Sequence, residues 1–270
     1  MSEDFGDLRA VYFDLDDTLC GYWTAAKEGL KQTFAEVGLP EGVTPETLFG
    51  AWVEEFRSFA EEIKRAHWYE IYLSQGHITR MELMRLALAR LGFDDPHLAF
   101  ELGRAYGAAR RERLLLFPGA RELLDDLKGN VLLGVITNGP ADIQREELQD
   151  LGIEDCFDFV FIEGEMGEGK PAPRVMQRAT EAAGGDPTRI MMVGNSYRHD
   201  IVPAQEAGWR TCWIRRDTDV PVTSRTGKVE ELPEGMAQPD LTIGHLDELR
   251  EIFVRDGLIG TEPALKRKRG

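Results

Sequence analysis

The sequence predicts an α/β fold: a doubly wound parallel sheet, covered by helices on both faces and interrupted after its first strand by an all-helical insertion. Three observations carry this expectation. Short apolar runs rich in β-forming residues recur along the chain, as strands buried on both faces read. Helical patterns separate them, which is the alternation of a parallel sheet. Between Tyr22 and Leu116 no such run appears, only helical periodicity.

Taken in order, the first strand is Arg9 to Asp14 (RAVYFD), which ends abruptly in carboxylates. The insertion follows. Thr44 is placed to cap a helix with Pro45 at its first position, and Leu48, Trp52, Phe56, Phe59 and Ile63 recur at helical spacing. Thr79 and Glu82 have the spacing of a capping box ahead of Leu83, Leu86 and Leu91. Asp95-Pro96 opens a further helix, and Phe117-Pro118-Gly119 is a breaker suited to the hinge where the chain returns. Strands are then expected at Val131–Thr137, Phe159–Ile162, Ile190–Gly194, Thr211–Ile214 and Leu241–Ile243, with helices over Arg121–Leu127, Ala141–Leu151 and Pro173–Ala183. Asp217 to Pro239 reads as an excursion loop before the last strand. The expected domains are a core of 1–20 and 117–256, a helical insertion of 21–116 and a tail of 257–270.

A formal net charge of −16 disfavours nucleic acid and other polyanionic partners. No apolar run approaches the roughly 18 to 20 residues of a membrane helix, and MSEDFGDLRA does not resemble a secretory leader, so a cytoplasmic protein is expected. Cys20, Cys156 and Cys212 are odd in number and far apart, which suits reduced thiols. The basic run Lys266 to Arg269 reads as a solvated tail.

The chemistry is concentrated at strand ends, where ligands bind in open parallel sheets. Asp14-Leu15-Asp16-Asp17-Thr18 follows the first strand, and alternation lets Asp14 and Asp16 approach one group. Thr137-Asn138-Gly139 ends the second strand, Lys170 follows the third, and Asn195 to Asp200 follows the fourth. Carboxylates, a lysine and a hydroxyl in one cluster suit a magnesium ion and a phosphoryl group. The carboxylates would hold the hard cation through oxygen, and the lysine would offset charge on the transferring oxygens. One carboxylate can then attack phosphorus while its neighbour handles the leaving-group proton.

These segments, FDLDDTL, ITNG, GKPAP and GNSYRHD followed by AQEAGW, resemble the four ordered motifs of the haloacid dehalogenase-like (HAD) hydrolases, and the likeness spans nearly the whole chain. The insertion resembles the C1 helical cap of subfamily I. The resemblance implies that Asp14 is the nucleophile and that Asp16 is the general acid/base whose backbone carbonyl also faces magnesium. It implies that Thr137, Asn138 and Lys170 anchor the phosphate, and that Asp200 completes a metal site with Asp14, Asp16 and Asn195. Haloacid dehalogenases lack the second acid, so Asp16 favours phosphoester cleavage. The stretch from Thr137 to Pro173 looks most like the branch of pyrimidine nucleotidases and N-acylneuraminate phosphate phosphatases.

Asn195 departs from the pattern, since most such phosphatases carry aspartate there; one negative charge is lost beside the metal. The expectation is therefore a magnesium-dependent phosphatase acting on a small phosphorylated metabolite. The alternative is a weakly active or non-catalytic HAD-like protein that binds a phosphometabolite or partner. In the insertion, Lys27 and Lys31 read as surface lysines, and Arg110, Arg111 and Arg113 as a solvated helix face. Tyr22, Trp23, Trp68, Tyr69 and Tyr72 are aromatic residues that either line the entrance or pack the insertion on the core.

Overall fold

In the computed structural model the described residues are 4–63, 68–217 and 220–261, with side chains for all of these except 60 and 61. The basic run at Lys266 to Arg269 lies outside them.

Six parallel strands form one sheet among these residues: β1 (Ala10–Phe13), β2 (Leu132–Thr137), β3 (Phe159–Ile162), β4 (Ile190–Gly194), β5 (Arg210–Ile214) and β6 (Leu241–Ile243). Their spatial order is β3-β2-β1-β4-β5-β6. The central strands are buried throughout because both faces are covered. On one face, Val11, Phe13, Val135 and Met191 pack against Leu123 and Leu127 of α6 (Ala120–Leu127) and Leu249 and Phe253 of α11 (Leu246–Arg255). On the other, Tyr12, Ile136 and Met192 meet Val175 and Met176 of α9 (Pro173–Ala182). Helix α7 (Ala141–Asp150) links β2 to β3. The short helices α8 (Glu163–Met166) and α10 (Val202–Glu206) follow β3 and β4.

Between β1 and α6 lie five helices among the described residues: α1 (Tyr22–Glu36), α2 (Pro45–Glu62), α3 (Trp68–Ser74), α4 (Gly76–Arg90) and α5 (Pro96–Arg111). They close over a separate apolar cluster that includes Leu30, Phe34, Trp52, Met84, Leu88 and Leu102. The outgoing and returning chains run side by side. Gly21 N–H donates to Leu115 O (3.1 Å) and Phe117 N–H to Leu19 O (2.9 Å). Thr44 caps α2 by accepting from Thr47 N–H, and Asp95 caps α5 by accepting from Leu98 N–H.

Two sequence expectations require correction. Thr79 and Glu82 form no capping box: α4 starts a turn earlier, at Gly76, and the Thr79 hydroxyl donates inward to Gly76 O (2.8 Å) while Glu82 pairs with Arg85. The earlier start has a tertiary cause. The first turn of α4 docks on α7, where Gly76 N–H donates to Asp142 Oδ1 (2.9 Å), and a Cβ on Gly76 would lie 2.6 Å from Ile143 and Pro140. Arg110 is not on a solvated face; it is buried against Glu147 of α7. Arg111 is exposed and paired with Asp150, and Lys27 and Lys31 are exposed.

Candidate active site

The strand order reverses between β1 and β4, and sheets of this kind bind ligands outside the carboxyl ends of the strands at that point. Asp14 follows β1 there, and Asn195 and Ser196 follow β4. Asp14 is 7% exposed and Asp200 1%. Lys170, 3% exposed, reaches between them, its Nζ donating to Asp14 Oδ1 (2.7 Å) and Asp200 Oδ1 (2.5 Å). The remaining carboxylate oxygens are also satisfied: Thr18 Oγ1 donates to Asp14 Oδ2 (2.9 Å) and Ser196 N–H to Asp200 Oδ2 (2.9 Å). Gly194 makes room for this, because a Cβ there would lie 2.4 Å from Asp200 Oδ2.

Two clamps hold the loops that carry these groups. Asn138 Nδ2 donates to Lys170 O (2.7 Å) and its Oδ1 accepts Lys170 N–H (2.7 Å), so the side chain fixes the lysine loop. Asp17 sits at φ 57°, a left-handed conformation that turns the chain sharply after Asp16. Arg216 stabilises that turn by donating to Asp17 O (2.8 Å) and Thr18 O (3.1 Å), with its guanidinium 3.8 Å from the Phe117 ring centroid.

Asp16 points away from Lys170, toward α7. Its Oδ2 accepts from Gln144 Nε2 (3.1 Å), which also donates to Glu147 Oε2 (3.1 Å). Gln144 Oε1 accepts from Thr137 Oγ1 (2.6 Å), which fixes the amide orientation. Glu147 then pairs with Arg110 of α5. A continuous polar chain therefore runs from Asp16 through the core helix to the inserted helices.

Burial raises the Asp14 pKa to about 6, with Lys170 opposing and Asp200 adding to the rise. Burial and the nearby Glu147 hold Asp16 well above the usual carboxylate range. Lys170 is pushed up despite its burial, because Asp14 and Asp200 favour the ammonium. The pair of acids at positions 14 and 16 thus differs in environment: one is beside a fixed cation, the other beside a carboxylate.

Every sequence-predicted site residue, Asp14, Asp16, Thr137, Asn138, Lys170, Asn195 and Asp200, lines one cavity of about 740 Å³. Among the described residues no group of three or more acidic, histidine or cysteine side chains stands in metal-ligating geometry; Lys170 lies between the two carboxylates instead. Tyr22 and Trp23 line the same cavity. Tyr69 and Tyr72 contact the core, donating to Glu163 at 3.3 and 3.4 Å. Thr18, Gln144, Glu147 and Arg216 were not singled out by sequence. A signal existed for two of them: Gln144 and Glu147 fall beside Ile143 and Leu148 on the buried stripe of α7, where helical periodicity calls for apolar residues.

A family model described as haloacid dehalogenase-like hydrolase matches residues 8–208. The chain is 33% identical to the phosphoserine phosphatase of Thermus thermophilus over 266 residues, covering 93% of this chain and 100% of that protein. It is 29% identical to the pyrimidine 5'-nucleotidase YjjG of Escherichia coli, over 91% of this chain and 97% of that one. Among solved structures, the 2-haloacid dehalogenase of Pseudomonas syringae superposes with a TM-score of 0.62 at 27% identity, covering 92% of this chain and 99% of that one. A model match over most of the chain, together with a phosphatase relative aligned along nearly all of it, shows that this protein belongs to the haloacid dehalogenase-like hydrolase family, in its phosphatase branch.

Proposed function

We propose that the protein is a magnesium-dependent phosphatase that hydrolyses a small phosphorylated metabolite through an aspartyl-phosphate on Asp14. The observation that carries this reading is the placement of Lys170 Nζ within 2.7 Å of Asp14 Oδ1 and 2.5 Å of Asp200 Oδ1, with Asp16 lining the same cavity. A carboxylate oxygen of Asp14 attacks: it forms the bond to phosphorus as the bond to the leaving alcohol breaks. Asp16, whose pKa burial and Glu147 push up, gives its proton to that alcohol. It then takes a proton from the water that attacks the aspartyl-phosphate, so inorganic phosphate leaves and Asp14 is regenerated. Lys170, Thr137 and the Asn138 backbone stabilise the phosphoryl oxygens.

The donor set fits magnesium. Carboxylate oxygens of Asp14 and Asp200 already converge on one positive charge, and Asn195 and the carbonyl-bearing segment at Asp16 line the same cavity, so the available ligands are hard oxygens. Asp14, Asp16, Asn195 and Asp200 would hold the ion, which supplies charge neutralisation at the phosphoryl group. The test is phosphate release from 4-nitrophenyl phosphate with and without magnesium, for wild type and Asp14→Asn. Magnesium-dependent release lost in the variant supports the reading; release that survives Asp14→Asn overturns it, and no release from wild type favours a non-catalytic binding role.

A further inference from the structure

The inserted helices reach the segment that ends β2 through one buried side chain. Glu163 opens α8, directly after β3, and is 1% exposed. Its Oε2 accepts Gly139 N–H (3.1 Å), and Gly164 N–H donates to Gly139 O (2.9 Å), so the first turn of α8 holds both polar groups of the Gly139 backbone. The same carboxyl packs on the loop before Lys170: a Cβ on Gly169 would lie 2.8 Å from Glu163 Cδ and 2.5 Å from Asn138 Oδ1. Glu163 therefore stands where Thr137-Asn138-Gly139 meets the lysine loop.

The carboxyl also meets α3 of the insertion. Tyr69 Oη lies 3.3 Å from Glu163 Oε1 and Tyr72 Oη 3.4 Å from Glu163 Oε2, with the two rings stacked at a centroid distance of 6.2 Å. Tyr69 Oη also reaches Gly167 O (3.4 Å), just past the end of α8. Burial, and then Glu163, raise the pKa of both phenols, so both remain donors. The approach of α3 leaves no room for a side chain: a Cβ on Gly164 would lie 2.2 Å from Leu73 O and 2.2 Å from Ala141 N. A carboxyl that accepts from the core and from the insertion has its orientation set by both.

We propose that Glu163 is a positioning residue: it holds Thr137-Asn138-Gly139 against the Lys170 loop, and the Tyr69 and Tyr72 hydroxyls make that placement depend on the docked α3. The inserted helices then act on the chemical step, in addition to lining the cavity. None of Glu163, Tyr69 and Tyr72 lines the active-site cavity, so their effect on turnover passes through the two loops. Small displacements there are costly, since about 1 Å of misplacement can lower a rate about a hundredfold. This inference rests on the phosphatase reading above, in which Thr137, the Asn138 backbone and Lys170 bind the phosphoryl oxygens.

Steady-state kinetics on 4-nitrophenyl phosphate with magnesium test the effect on turnover. Removing both hydroxyls, in Tyr69→Phe with Tyr72→Phe, should lower kcat by about five- to tenfold and leave KM within about twofold, because the anchors matter most as charge moves onto the transferring oxygens. Glu163→Gln keeps an acceptor for Gly139 N–H and should stay within about threefold of wild type, whereas Glu163→Leu should lose at least about thirtyfold in kcat. Adding the two phenylalanine substitutions to Glu163→Leu should cost no further activity, since the route through the carboxyl is already gone. Losses that multiply in that combination, a loss expressed in KM alone, or a wild-type kcat in the double phenylalanine variant overturns the inference. Amide hydrogen exchange in the full chain decides the placement without turnover and without Glu163→Leu. Gly139 N–H should exchange at least about tenfold faster in the double phenylalanine variant, while the amides of β4 keep their rates. Unchanged exchange at Gly139, or equal acceleration throughout the sheet, rejects the assignment. Absence of turnover in wild type would count against the phosphatase reading, and the exchange rates would still decide whether α3 fixes Gly139.

Discussion

Asp14 and Asp200, from the ends of two adjacent strands, share one cation: Lys170 Nζ lies 2.7 Å from an oxygen of the first and 2.5 Å from an oxygen of the second. Removing that cation leaves two buried carboxylates facing each other. Lys170→Met should therefore destabilise the magnesium-free protein at pH 7.5 by on the order of 3 kcal/mol and lower kcat by at least about a hundredfold. The stability loss should shrink toward pH 5, as Asp14 takes up a proton, and magnesium should raise the melting temperature of the variant more than that of wild type. Thermal melts at several pH values check this; a midpoint that Lys170→Met does not move would show that the carboxylates do not depend on the lysine.

The Asp14 pKa gives a linkage prediction. At about 6 in the folded protein against 3.8 ordinarily, Asp14 binds a proton in the native state before it does in the unfolded one. Its ionisation therefore costs stability as pH rises through 6, and the cost vanishes below about 4. Asp14→Asn, which mimics the neutral form, should be inactive yet more stable than wild type at pH 7.5 without magnesium. That advantage should disappear by about pH 4. A difference in melting temperature that does not vary with pH contradicts it.

In the proposed mechanism Asp14 attacks as a carboxylate and Asp16 acts as an acid, so activity should follow a bell-shaped pH profile. The acid limb of kcat/KM belongs to Asp14 and should lie at or below pH 6, since a bound divalent cation favours the carboxylate. The alkaline limb belongs to Asp16, whose surroundings hold its pKa up. Asp16→Asn should lose most activity on substrates with high-pKa leaving alcohols. Equal losses on aryl and alkyl phosphates would exclude Asp16 as the acid.

Asn195 lines the cavity beside Thr18, with its Oδ1 3.4 Å from Thr18 Oγ1. A carboxylate there would add a charge, and a charge pair about 4 Å apart attracts by about 1 kcal/mol in water and several near a protein surface. Asn195→Asp should lower the magnesium concentration for half-maximal activity, and Asp200→Asn should raise it. Identical magnesium titrations in all three proteins would remove these positions from the metal site.

Arg110 and Glu147 join the inserted helices to the core through a buried ion pair. Arg110→Met should destabilise the protein by about 3 kcal/mol, because buried Glu147 keeps only the more distant Arg80 guanidinium, 3.9 Å away, and Arg110→Met with Glu147→Leu should recover much of the loss. Denaturant titration of the single and double variants measures the coupling; purely additive effects would show that the pair does not interact.

The sequence by itself determined the parallel sheet, because strands buried on both faces must be short apolar runs, and β1 through β6 each stand out as one. It also marked Asp14, Asp16, Thr137, Lys170 and Asp200 as one group, because ligand chemistry in such sheets collects at strand ends, which are visible wherever an apolar run meets polar residues. Pairing across long separations was not legible. The start of α4 moved from Thr79 to Gly76 because the helix docks on Asp142, and a local capping pattern carries no information about that contact. Arg110 reads as one of three surface arginines until α7 presents Glu147 to it. Gln144 acquires its place between Asp16, Thr137 and Glu147 only once β1, β2 and α7 are assembled, since hydrogen bonds among residues this far apart in the chain depend on tertiary geometry. Side-chain type is written in the sequence, whereas the partner that sets a buried charge's energy is decided by packing.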